Sequence, residues 1–91
     1  MKTPRQLERH FKGVANHRRI QILYLIASQP KITVDEIANE LSCNFKTISE
    51  HTRRLVSAGL VNKRYRGNKV EHNLSPYGVR LYSMLKTFSN S

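Results

Sequence analysis

Residues 33–60 read TVDEIANELSCNFKTISEHTRRLVSAGL, and their punctuation decides the fold. Thr33 stands three residues before Glu36, the spacing of a capping box in which each side chain satisfies the other's backbone N–H. Val34, Ile37, Ala38 and Leu41 then recur at helical spacing, so a short helix with one apolar face is expected. Its acids Asp35 and Glu36 fall in the first turn, where the helix dipole favours negative charge. The tight turn Ser42-Cys43-Asn44 follows. A second helix is expected from Phe45 to Ala58, with Ile48, Thr52 and Leu55 inward and Gly59 as its C-terminal cap.

Working outward, two strand-like runs at about Leu60–Tyr65 and Lys69–Leu74 flank Gly67-Asn68, a two-residue hairpin turn with glycine first. Val61 and Tyr65, then Val70 and Leu74, alternate with polar residues. Tyr65 is expected to pack beneath the hairpin. Before the central stretch, Thr3 and Pro4 open a helix to Ala15 carrying Leu7, Phe11 and Val14. Asn16 caps a helix to about Ser28 that is apolar nearly all round, the mark of a central, buried element. Ser75-Pro76 opens a last helix to about residue 88 with Leu81, Tyr82, Leu85 and Phe88.

The expected architecture is therefore mainly α with a small β-hairpin wing. It is a winged helix-turn-helix of about five helices in one domain over residues 1–91. The helix-turn-helix spans about 33–58, the wing about 60–74, and the terminal helices about 3–15 and 76–88. Two helices joined by a short turn, with a charged hairpin after them, suit double-stranded DNA: the major groove admits one helix, and each base pair shows a distinct donor and acceptor pattern there.

Charge points the same way. Sixteen Lys and Arg stand against six Asp and Glu, a formal net charge of +10. Six cations oppose only Glu8 in residues 1–30, four oppose four in 31–60, and six oppose only Glu71 in 61–91. An excess placed at both ends implies a face for a polyanion. The groove-facing candidates are Asn44, Phe45, Lys46, Thr47, Ser49, Glu50, His51, Arg53 and Arg54. On the wing they are Lys63, Arg64, Arg66, Asn68 and Lys69. Phe45 either meets a thymine methyl or packs back on the domain. Of Arg18 and Arg19, one is expected on phosphate and the other paired with an acid of the third helix.

Apolar stripes at both ends would leave a large exposed patch on a small protein. Pairing two chains about a two-fold axis covers Leu7, Phe11, Val14, Leu81, Tyr82, Leu85 and Phe88, so a homodimer is expected. Cys43 is the only cysteine, which excludes an internal disulfide, and it reads as an inert small hydrophobe. His10, His17, His51 and His72 lack metal-site spacing, so no metal is expected. No phosphate loop or nucleophile elbow is present, so neither catalysis nor a cofactor is expected. The most apolar run, Ile20–Ala27, is too short to cross a bilayer, and the N-terminus lacks a signal-peptide core; a cytoplasmic protein with no membrane partner is expected.

Several stretches in order carry a resemblance: Ala15–Leu23, Ile37–Leu41, Thr47–His51, Ala58–Val61 and Asn73–Gly78. Together they resemble the ArsR family of winged-helix repressors, with MarR-like regulators as close relatives, over nearly the whole chain. The resemblance implies a homodimer that binds palindromic operators and pairs through its first and last helices. It also implies a leucine where Thr52 stands, and a basic or neutral residue where Glu50 stands. An acid there would accept from cytosine N4 and repel phosphate. The cysteine pair or histidine-and-acid set of the family's metal sensors is absent from Ile37–Glu40 and Tyr82–Leu85. The function expected is a sequence-specific transcriptional regulator, a repressor; a non-sequence-specific DNA or RNA binder and a protein-interaction module are the alternatives.

Overall fold

A computed structural model describes residues 1–90. The element order is α1 Pro4–Val14, α2 His17–Ser28, α3 Val34–Leu41, α4 Phe45–Ser57, β1 Val61–Arg66, β2 Lys69–Leu74 and α5 Pro76–Ser89. This is the winged helix-turn-helix arrangement, with five helices and one antiparallel hairpin among the described residues.

Each helix starts where a side chain can satisfy its first N–H groups. Thr33 Oγ1 accepts from Glu36 N at 3.3 Å while Thr33 N donates to Glu36 Oε1 at 2.9 Å. Thr3 and Gln6 form a second capping box. Asn16 and Asn44 each accept from two backbone N–H groups, and Ser75 Oγ accepts from Gly78 N at 3.0 Å. The turn between α3 and α4 is closed by Ser42 in the left-handed region (φ 50°) and by Cys43 N donating to Ala38 O at 3.0 Å.

Packing centres on α2, whose Ile22, Leu23 and Ile26 are buried against α4, α5 and β2. Ile37 of α3 and Ile48 and Leu55 of α4 complete that core. Thr52 is buried beside them, and its hydroxyl donates to Ile48 O at 2.8 Å. A polar residue therefore takes the inward place at no unsatisfied cost.

The wing begins one residue later than expected. Leu60 is a fully buried core residue whose carbonyl accepts from Ser75 N at 3.0 Å, which ties the hairpin's base to the start of α5. Pairing then runs from Val61 with Leu74 out to Arg66 with Lys69. Gly67 has φ 61° and Asn68 is not in the positive-φ region, the pattern of a II′ turn. Ile32 bridges His72 on the outer edge of β2, adding two backbone bonds of 3.0 Å.

Pairing alternation puts Tyr65 and Val70 on the hairpin face that carries the buried His72. Tyr65 nonetheless stays 71% exposed. That corrects the expectation of a ring packed beneath the wing: the hairpin projects past the helices, so its outer rows have no layer beneath them. Val14 and Leu81 are corrected likewise. At 4% and 7% exposure they belong to the protomer's own core, because α1 and α5 each turn one face inward.

Candidate nucleic-acid interface

The exposed face of α4 and the wing lie side by side. Phe45, Lys46, Thr47, Glu50, Arg53 and Arg54 are exposed, and Ser49 and His51 are half-buried. Lys63, Arg64, Arg66, Asn68 and Lys69 are all exposed on the hairpin. Between them runs a cleft of about 220 Å³, with Ser49, Thr52 and Arg53 on the helix wall and Lys63, Tyr65 and His72 on the hairpin wall. A second cleft is lined by Phe45 together with Val34 and Glu36 of α3 and Lys69 and Val70 of the hairpin.

Several candidates already have partners within the chain. Asn44 Oδ1 accepts from Lys46 N at 2.8 Å and Thr47 N at 3.3 Å, so its carbonyl oxygen serves the helix start. Glu50 is exposed on that face, and its carboxylate already has partners there. Both its oxygens accept from Arg53, at 2.7 and 3.0 Å, and one also accepts from Arg54 at 3.2 Å. The hydrogen bonds from Arg53, then Arg54, hold its carboxyl down at about 2. The i, i+3 and i, i+4 spacings put all three on one helix face. The carboxylate thus orients two guanidiniums and offsets one of their charges. On the wing, Arg66 Nε lies 3.3 Å from Glu71 Oε1.

Arg19 corrects another expectation. It pairs with no α3 acid; its Nη1 donates to Lys12 O at 3.2 Å and Gly13 O at 3.1 Å, and its Nε donates to His51 Nδ1 at 3.3 Å. A cation at the C-terminal carbonyls of α1 is favoured by the dipole. Arg18 Nη1 donates to Gln21 Oε1 at 3.0 Å. Burial first, then the charges of Arg19 and Arg18, lowers the His51 pKa. His51 is therefore neutral at neutral pH, with Nδ1 acting as the acceptor. It links α2 to α4.

His72 was legible only as a metal candidate. It is 3% exposed, with Nδ1 3.1 Å from Ile32 O, and burial lowers its pKa. Below about pH 6.5 the unfolded chain takes up protons that folded His51 and His72 resist, so stability falls as pH drops through that window. The melting temperature is expected to be lower at about pH 5.5 than at about pH 7.5, with a smaller difference in His72→Gln. A pH-independent melting temperature would contradict this assignment.

Among the described residues no group of three His, Cys, Asp or Glu is placed to hold a metal ion, and no helix is long and apolar enough to cross a membrane. Cys43 is half-buried, its Sγ donating to Leu41 O at 3.2 Å. Of the terminal stripe, Leu7, Phe11 and Phe88 are exposed, while Tyr82 and Leu85 are half-buried. Tyr82 stacks edge-on against Tyr24 at 5.4 Å.

A helix-turn-helix with a cationic hairpin beside its second helix defines the winged-helix class of transcriptional regulators. A family model for bacterial regulatory proteins of the arsR family matches residues 16–63, more than half of the chain, and the chain belongs to the ArsR family. That family is one of regulatory proteins, not of enzymes. The chain is 34% identical over 86 residues to the HTH-type transcriptional regulator Rv0324 of Mycobacterium tuberculosis, covering 93% of this chain and 38% of that protein. It is 26% identical over 77 residues to a cadmium resistance transcriptional regulatory protein, a CadC homolog of Staphylococcus aureus, covering 85% of this chain and 64% of the relative. It thus spans less than two thirds of either relative's length. The solution structure of the homodimeric winged helix-turn-helix DNA-binding domain Mb0332 of Mycobacterium bovis superposes with TM-score 0.84 at 29% identity, covering 99% of this chain and 89% of that one.

Proposed function

We propose that the chain binds double-stranded DNA sequence-specifically, as a homodimer and as a repressor at a palindromic site. The observation that supports this most is the exposed face of α4 beside the wing: Lys46 and Arg53 are exposed on the helix and Lys63, Arg64 and Lys69 on the hairpin, with Lys63 on the strand face turned to α4. In this reading α4 lies in the major groove. Lys46, Thr47 and Ser49 read base edges, Phe45 packs near the wing tip, and the arginines and wing cations neutralise phosphates. Glu50 sets the arginines' direction.

Dimerisation through α1 and α5 is supported by the exposed Leu7, Phe11 and Phe88 and by a cleft of about 600 Å³ between the two helices, floored by Leu60, Leu81 and Met84. Val14 and Leu81 support that surface from within. The Mycobacterium bovis domain is itself a homodimer. Two-fold pairing would set the recognition helices about 34–36 Å apart, one turn of DNA.

Selection from random duplexes, with sizing of the complex, tests this. A palindromic site bound by two chains is expected. Equal affinity for every sequence would favour non-specific nucleic-acid binding, and no affinity at low salt would favour a protein-interaction module. Lys46→Ala or Ser49→Ala should change the preferred sequence, whereas Arg66→Ala should weaken all duplexes alike. An unchanged preference in both helix variants would remove them from base readout.

A further inference from the structure

We infer that the cleft between α4 and the hairpin is a clamp for one DNA sugar–phosphate strand, and that Tyr65 is its contact on the hairpin side. The inference rests on the DNA-binding reading above and adds a residue to it. A protein that places a helix in the major groove and a hairpin at the neighbouring minor groove must let one backbone strand pass between the two, because the strand is what separates the grooves.

The chemistry of the cleft suits that occupant. Its helix wall holds Ser49 and Arg53, the latter fixed by two bonds to Glu50. Its hairpin wall holds Lys63 and Tyr65 on one strand face, two residues apart on β1 and facing His72 and Val70 across the register. Two cations, Arg53 and Lys63, and the hydroxyls of Ser49 and Tyr65 thus line the cleft, together with Thr52, whose hydroxyl is already bonded to Ile48 O, and with Val34, Val56, Val70 and His72. Among the described residues the Tyr65 side chain makes no hydrogen bond, although 71% of the residue is exposed. An exposed aromatic with an unused donor, flanked by cations, fits a deoxyribose under the ring and a phosphate oxygen at the hydroxyl. Burial cannot explain the ring's position, since nothing covers it.

The test measures binding of the full chain to a selected duplex and to a mixed-sequence duplex over a range of salt. Tyr65→Ala is expected to lose about tenfold per chain, and so about a hundredfold for the dimer, on both duplexes, the worth of one hydrogen bond to a charged group from each chain, with the salt slope of the wild type. Tyr65→Phe should lose most of that factor. Lys63→Ala should lose affinity and also flatten the salt slope, since it removes an ion contact. The melting temperature of Tyr65→Ala should match the wild type. Wild-type affinity in Tyr65→Ala, or a loss confined to one sequence, overturns the clamp while leaving DNA binding intact. A wild-type chain that binds no duplex overturns both readings.

Discussion

Raising salt from about 50 to about 200 mM is expected to weaken duplex binding roughly a thousandfold. The estimate follows from about six phosphate contacts per dimer, three from each chain, each releasing a condensed counterion. Lys63, Arg64 and Lys69 are exposed on the wing and supply them. Arg53 and Arg54 contribute less than two full charges, because both share the carboxylate of Glu50, and Arg66 is partly offset by Glu71. The net charge of +10 alone would overestimate the slope, since cations distant from the face release no counterions from DNA. A logarithmic plot of affinity against salt measures it. A slope equivalent to one or two contacts would sink the proposed interface.

Gly78→Ala is expected to lower the melting temperature by roughly 8–16 °C. A Cβ there would collide with the carbonyl oxygen of Leu60, a backbone atom held by its own bond from Ser75 N. Alanine gains about 1 kcal/mol of helix propensity over glycine, but forcing an extra carbon into a packed site costs about 1–3 kcal/mol or more, and a fixed backbone atom puts the cost at the upper end. Each lost kcal/mol corresponds to about 4–8 °C in a domain of this size. Gly67→Ala is the comparison: its φ of 61° is strained for alanine, yet nothing lies within 4 Å. Thermal melts of the two variants should rank Gly78→Ala as the worse. The reverse order would refute the close approach of α5 to the β1 entry. Gly13 makes a similar approach to Ala58, so α1 is drawn tightly against the end of α4 as α5 is against the β1 entry.

Glu50 shows how a candidate residue can be visible in sequence while its partners go unread. Its position on α4 follows from helical periodicity. Its engagement by Arg53 and Arg54 depended on side-chain directions, although the i, i+3 and i, i+4 spacings were there to find. Arg19 carried no such signal. Its acceptors on α1 are defined by where α1 ends and how it crosses α2. Tyr65 was assigned the correct strand face and the wrong degree of cover, because alternation tells which side a residue takes and not how far the facing layer extends.

What the amino-acid order determined by itself was the caps and turns, each settled within about four residues. Thr3, Asn16, Thr33, Asn44 and Ser75 start the five helices, and Gly67-Asn68 closes the hairpin, because caps and turns are made by neighbours in the chain. Only the tertiary structure decided that Val14 and Leu81 face inward, that β1 starts at Val61, and that Tyr65 stands open beside Arg53. Those outcomes depend on contacts such as His10 with Ala58 O at 2.7 Å, 48 residues apart, and His72 with Ile32 O, 40 residues apart. Periodicity gives each element a face; which neighbour covers that face, and where the cover stops, is a property of all the elements packed together.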